Sequence, residues 1–222
     1  MGRVFVKAAV VAADRAGQRS MDRPVQSIVK MARELGLTVT FVDNDTLSSL
    51  VGDRPHQGVV LTCSRLPLST ATADLDLSVP TSNDGSAFPI ALALDRVQDP
   101  MNLGAIARSA QFFGVSCIYL CPLSAPLSPV ASKASAGSLE QLAFRRVPDL
   151  RSWLLEADAR GWATLATCAP DEQTADGSSP TPASVFRVAR PTILVRRRHF
   201  QPLMLLPSRI FTRETSPRHA WD

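Results

Sequence analysis

The sequence predicts an α/β protein: a small N-terminal α/β domain joined to a larger one built on a parallel sheet covered on both faces. Three observations carry this. Short Val-, Ala- and Leu-rich runs alternate with segments of helical periodicity, the pattern of strands buried between helices. Composition shifts abruptly at residues 64–87, where Ser, Thr, Asp, Pro and Gly replace large apolar residues. The apolar run before Asp95 leads straight into a polar turn and a helix, and ligands gather at such strand ends in parallel sheets.

The first domain spans residues 1–63. Val4–Ala13 reads as a core strand. A helix follows, with Asp22 as its cap, Pro24 near its first turn, and Val25, Ile28, Val29, Ala32 and Leu35 at helical spacing. Gly36 ends it. Leu37–Val42 reads as a strand, Thr46–Val51 as a short helix and Gly58–Cys63 as a third strand. The basic, initially acid-free stretch Met1–Ser20 also resembles an organelle transit peptide; the core-strand reading is preferred.

Residues 64–87 form a linker, and 88–195 the second domain. Its strands are Pro89–Asp95, Val115–Cys121, a short one near Phe144–Val147, Trp162–Cys168 and Thr192–Val195. Its helices are Leu103–Phe113, Pro129–Leu139 and Asp149–Arg160, and Pro170–Ala183 reads as a surface loop.

Charge is unevenly placed. The 222-residue chain has 24 basic and 20 acidic residues and a pI near 9.2. Six arginines and two acids fall within residues 196–222, and removing them leaves 18 of each sign in the rest. The body is neutral, so overall basicity says little about what it binds. No apolar run approaches the roughly 18 residues of a membrane span, so a membrane partner is not expected. Cys63, Cys117, Cys121 and Cys168 lie mostly in apolar runs and read as buried thiols of a reducing compartment. No metal-ligand cluster, P-loop or G-x-G-x-x-G is present, so no metal is expected and a conventional dinucleotide-binding fold is disfavoured.

The chemistry concentrates in residues 94–114, L-D-R-V-Q-D-P-M-N-L-G-A-I-A-R-S-A-Q-F-F-G. Arg108 falls off the apolar stripe of this helix, one turn beyond Gly104. Helical side chains lean toward the N-terminus, and Gly104 leaves that path open, so Arg108 reaches back toward Asn102. The alternative is that Asn102 caps the helix and Arg108 is solvated; sequence physics alone does not separate the two.

The segment D-P-x-N-x-G-x-x-x-R, with the following A-x-x-F-G, resembles the first signature of the SpoU-type RNA ribose 2′-O-methyltransferases of the knotted SPOUT superfamily. Asp99, Pro100, Asn102, Gly104, Arg108, Ala110 and Gly114 occupy its defining positions. S-K-A-S-A-G-S-L-E at 132–140 resembles the central Lys-x-Ser-x-Gly segment of that family. His56-Gln57-Gly58 resembles the end of the small substrate-binding domain that precedes the catalytic one. The likeness spans residues 3–195 and is greatest to mitochondrial rRNA-modifying members.

The resemblance implies a SPOUT-like (Rossmann-like) fold and methyl transfer from S-adenosylmethionine to a ribose 2′-hydroxyl of structured RNA, foremost rRNA. It gives Asn102 and Arg108 catalytic roles, with Arg108 activating the hydroxyl and Asn102 orienting it. A guanidinium is a poor base, so holding a phosphate and stabilising developing charge suits Arg108 better. Thr167 and Leu194 become cofactor-binding positions, and His56, Gln57, Lys133 and Ser135 RNA-binding ones. Lys133 and Ser135 also read as a solvated lysine and a helix-start serine, and His56 and Gln57 as shapers of a turn. A homodimer is expected, in the mitochondrial matrix, or in the cytoplasm if the source is bacterial or the transit peptide is absent.

After Val195 the family pattern requires Gly-x-Glu-x-x-Gly and later a Leu-Asn-x-Ser segment, which complete the knot, the cofactor pocket and much of the dimer contact. Residues 196–222 contain neither, so an incomplete knot and an unstructured basic tail are expected. So abrupt a switch suggests an alternative exon, intron read-through or a frameshift. The N-terminus also starts late relative to the family. A non-catalytic RNA-binding or regulatory form is the alternative function. A small-molecule α/β enzyme has no supporting motif.

Overall fold

The computed structural model describes residues 3–7, 23–52, 54–72, 88–168, 181–182, 188, 190–197 and 209–212. The chain divides into two compact units, residues 1–65 and 66–222.

Among the described residues the first unit is a three-stranded sheet with two helices. Strand β1 (Arg3–Lys7) lies centrally, parallel to β2 (Thr38–Val42) and antiparallel to β3 (Val59–Thr62). Helix α1 (Arg23–Glu34) buries Val25 and Ala32 with Val6, and half-buried Val29, Leu37, Val39 and Val59 complete this small core. Gly36 ends α1 at φ +68°, where the Leu37 N–H reaches back to the Ala32 carbonyl at 2.9 Å. Helix α2 (Asn44–Val51) is capped by Asp43, whose Oδ1 accepts from the Thr46 N–H at 2.7 Å, and it buries Leu47 completely. The expected first strand, 4–13, is observed only to Lys7; Asp22 and the rest of that strand lie outside the described residues.

The second unit is an eight-stranded sheet in which every observed pairing is parallel. Its strands are β4 (Ser69–Thr70), β5 (Ile90–Asp95), β6 (Cys117–Leu120), β7 (Phe144–Arg146), β8 (Ala163–Cys168), β9 (Thr181–Pro182), β10 (Thr192–Arg197) and β11 (Arg209–Thr212), in the order β4-β7-β6-β5-β10-β8-β11-β9. Helices α3 (Pro100–Phe112), α4 (Pro129–Ser135) and α5 (Leu150–Ala159) connect β5 to β6, β6 to β7 and β7 to β8.

Strand alternation sorts the core into two layers. Ala91, Ala93, Tyr119, Ile193 and Val195 join α5 through Trp153, Leu154 and Ala157. Leu94, Ile118 and Leu120 join α3 and α4 through Leu103, Ala107 and Ala131. Cys117 and Cys121 are buried together in the first layer, as their even spacing predicts, whereas Cys63 is exposed, contrary to expectation.

Several differences from the sequence reading have local causes. The helix expected over 129–139 stops at Ser135, because Ala136 (φ +53°) and Gly137 (φ +90°) turn left-handed. Part of the expected linker belongs to the second unit: Ser69–Thr70 pairs with β7, and Leu66 and Leu68 pack on the α3 layer. The expected surface loop contributes Thr181–Pro182, and the tail expected to be unstructured contributes Arg209–Thr212, which lies parallel to β8. Isolated four-residue strands carry too weak a period to stand out in a basic, proline-punctuated tail. No described helix is long and apolar enough to cross a membrane.

Candidate active-site groove at the carboxyl end of the central strand

Strand β5 ends in buried Asp95, and the chain then turns through Arg96 (φ +56°) into Asp99. Asp99 caps α3, its Oδ1 accepting from the Met101 N–H at 2.9 Å, and Pro100 occupies the first helical turn, where no N–H is needed. The cap is therefore Asp99 and not Asn102, which leaves the Asn102 amide for other work. Among the described residues that amide has no hydrogen-bond partner.

Asn102 opens onto a groove of about 840 Å³ between α3 and the central strands β5 and β10 of the sheet. Ile90, Leu92, Ile106, Val115 and Leu194 give it an apolar floor, and Gln98, Asp99, Asn102 and Arg196 line it with polar groups. Leu194 and Arg196 share a face because they are two residues apart in β10. Arg196 is thus a site-lining residue that the sequence reading assigned to the tail; extending the strand period past Val195 was the signal that would have found it.

Arg108 is exposed and lies outside this groove. Six residues of helix place it about 120° around the axis from Asn102, and no hydrogen bond joins the two among the described residues. The path expected over Gly104 is closed. Gly104 is buried against α4: a Cβ there would lie 2.5 Å from the Ala131 carbonyl oxygen, 2.5 Å from the Ala134 Cβ and 3.0 Å from the Ser135 nitrogen. Glycine at this position serves helix–helix contact and not the passage of the Arg108 side chain.

The Lys-x-Ser-x-Gly segment divides in the same way. Lys133 is exposed on α4. Ser135 is fully buried, its Oγ donating to the Ser132 carbonyl at 2.8 Å and accepting from the Leu139 N–H at 3.0 Å. The expectation that Ser135 touches RNA is therefore corrected: both hydrogen bonds are internal and no surface remains. Thr167, half-buried near the end of β8, pairs in register with Arg196 and donates from Oγ1 to the Val195 carbonyl at 3.4 Å. In the first unit, His56 Nδ1 accepts from the Gly58 N–H at 3.1 Å and Nε2 lies 3.4 Å from Ser48 Oγ, so its ring organises the turn into β3. Gln57 sits exposed in that turn at φ +50°.

A parallel α/β unit with a polar turn at the end of its central strand, a capped helix behind it and an apolar groove beside it defines a ligand-binding class of domain. Residues 89–195 match the SpoU rRNA Methylase family, and residues 2–68 match the RNA 2′-O ribose methyltransferase substrate-binding family. The chain thus carries one domain matched to each of these two families.

It is 28% identical over 191 residues to mitochondrial rRNA methyltransferase 1 of Dictyostelium discoideum, covering 77% of this chain and 36% of that one. It is 30% identical to the human mitochondrial rRNA methyltransferase 1, covering 82% and 51%. With the 23S rRNA (guanosine-2′-O-)-methyltransferase RlmB of Acinetobacter baylyi it shares 33% over 153 residues, 68% and 60% of the two chains. The chain thus spans between about a third and three fifths of the length of these relatives.

Two solved structures share the fold. One is the AdoMet-bound rRNA methyltransferase of Sinorhizobium meliloti, with a TM-score of 0.61 and 20% identity, covering 100% of this chain and 82% of that one. The other is the SpoU methyltransferase AviRb of Streptomyces viridochromogenes in complex with AdoMet, with a TM-score of 0.59 and 18% identity, covering 100% and 84%.

Proposed function

We propose that this chain belongs to an S-adenosylmethionine-dependent RNA 2′-O-ribose methyltransferase acting on rRNA, in mitochondria as for two of the relatives named above. The observation that carries the reading is the unpartnered Asn102 amide, held by the Asp99 cap at the mouth of an apolar groove, within a family-matched strand–turn–helix.

The residues present suit such a cofactor in part by chemistry. Leu194 offers an apolar floor for a flat base, the Thr167 hydroxyl stands near the strand end, and Arg196 complements a carboxylate. When bound, the cofactor supplies an electrophilic methyl group. Asn102 orients polar groups at the groove mouth. Arg108 and Lys133, both exposed cations, hold RNA phosphates, and Arg108 stabilises charge developing on the ribose oxygen. His56 and Gln57, in the domain matched to substrate binding, present a rigid turn to RNA. A homodimer is proposed as the working form, with a partner copy bringing Arg108 to the Asn102 side of a site that one chain leaves open.

The experiment is calorimetric titration of S-adenosylmethionine into the folded chain, followed by methyl transfer to rRNA fragments and size-exclusion light scattering. Micromolar binding with methyl incorporation at a ribose sustains the proposal; a folded chain that neither binds nor transfers overturns it. One observation favours a second reading, a non-catalytic RNA-binding form: β10 continues as strand through Arg197, where the family pattern calls for a glycine-rich turn. In that case RNA binding persists without cofactor affinity.

A further inference from the structure

We infer that Ser135 and Gly104 are positioning residues that set the placement of Asn102. The inference rests on the proposed role of Asn102 in methyl transfer. Gly104 lies two residues beyond Asn102, inside the same first turns of α3, and it faces α4 with no room for a side chain. The surface that Gly104 touches is backbone: the Ala131 carbonyl and the Ser135 nitrogen, with the Ala134 methyl beside them. Backbone does not yield as a flexible side chain does, so the position of α4 fixes the position of the α3 N-terminus.

The end of α4 is itself an improbable piece of chain. Ala136 adopts φ +53°, a conformation that costs a β-carbon-bearing residue energy, and Gly137 follows at φ +90°. The Ser135 hydroxyl closes this turn from inside. It donates backward to Ser132 and accepts forward from Leu139, with no exposed surface. Leu139 is also buried, within the layer that holds Leu103 and Ala107 of α3. One hydroxyl thus ties together the last turn of α4, the left-handed exit and the packing of α3. The hydroxyl acts through Gly104 on Asn102 and touches no substrate.

The test uses the full chain with Ser135→Ala, Ser135→Cys, Ala134→Gly and Asn102→Ala. It reads the backbone amide resonances of residues 99–103 and, separately, kcat and KM for an rRNA fragment well below each variant's Tm. Ser135→Ala is expected to displace the Asn102 and Leu103 amide resonances and lower kcat about tenfold with KM for RNA unchanged, the signature of a misplaced reacting group. Ser135→Cys, which keeps a weak donor and acceptor, falls between Ser135→Ala and the wild type. Ala134→Gly, which leaves both hydroxyl bonds intact but loosens the contact, moves the same resonances.

A Ser135→Ala chain with lowered Tm but unmoved 99–103 resonances overturns the inference, as does a shift confined to residues 132–139. Should Ser135→Ala fail to fold, Ala134→Gly decides by the same resonances. If Asn102→Ala proves as active as the wild type, the functional assignment of Asn102 falls, while the resonances still decide whether Ser135 places that residue.

Discussion

The two faces of the eight-stranded sheet are built for different purposes. On one face α5 lays Leu150, Trp153, Leu154 and Ala157 over alternate residues of β5, β6 and β10, and the layer is closed. On the other, α3 and α4 cover Leu94, Ile118 and Leu120 but leave Ile90, Leu92 and Leu194 lining a groove. The same strands supply both faces, so the difference arises from the helices. The α3 helix lies over β6 with Gly104 against α4, and the adjoining face of the central strands β5 and β10 lines the groove. Among the described residues the covering of this second face is incomplete, and an apolar floor open to solvent on one side is what a ligand can complete.

The largest effect that distinguishes covered from uncovered surface lies within a single strand. Leu94→Ala removes a fully buried side chain beneath α3 and is expected to cost about 3 kcal/mol, whereas Leu92→Ala, in the groove, costs about 1 kcal/mol. Urea unfolding of the two variants reads both values. Equal losses would show that the groove floor is as closed as the rest of the core, and the contrast between the faces would fall.

On activity, Arg108→Ala is expected to lower methyl transfer by about a hundredfold or more, close to 2.7 kcal/mol of transition-state stabilisation, with Tm unchanged. Arg108 is exposed on α3. A parallel fall in Tm and activity would place it in the fold and not in the chemistry.

Much of this architecture was legible beforehand. Buried strands such as Ile90–Asp95 and Cys117–Leu120 announce themselves by continuous apolar runs, and α3 by its apolar stripe, although the sequence places its start at Leu103 with Asn102 as the candidate cap, where the structure has Pro100 and Asp99. The residues of the site were less legible, because residue type and spacing do not say which way a side chain is used. Gly104 and Ser135 were recognisable as motif positions, yet their work is contact between helices and closure of a turn, which only packing reveals. Arg196 was read as tail because charge composition outweighed the two-residue period that carries it into the groove. Strands β4, β9 and β11 are two to four residues long, below the length at which alternation can be counted.

A smaller test concerns how tightly the closed face is filled. Trp153 packs on Tyr119 with ring centroids 4.3 Å apart, and its indole N–H is buried with no hydrogen-bond partner among the described residues. Trp153→Phe loses apolar area but also removes an unsatisfied donor, and the two terms oppose each other. The expected net change is under about 1 kcal/mol by urea unfolding. A loss of several kcal/mol would show that the indole ring fills its space more completely than that donor suggests, and activity should be unaltered in either case because α5 lies on the face away from the groove.

The smallest effect is electrostatic and belongs to the start of that same helix. Asp149 caps α5, and the hydroxyl of Ser152, with the Arg151 N–H, holds its carboxyl below the ordinary value of 3.8. A carboxylate whose folded value is depressed contributes stability that is fully present above the unfolded value and is lost as pH falls through the folded one. The Tm difference between the wild type and Asp149→Ala should therefore be constant from pH 7 to about 5 and shrink as pH drops below about 4. Because the carboxylate is fully exposed, added salt should narrow the difference as well. A difference that persists unchanged into acid would mean that Asp149 acts through the shape of the cap and not through its charge. Methyl transfer measured across the same range should ignore the substitution, since the cap serves the closed face alone.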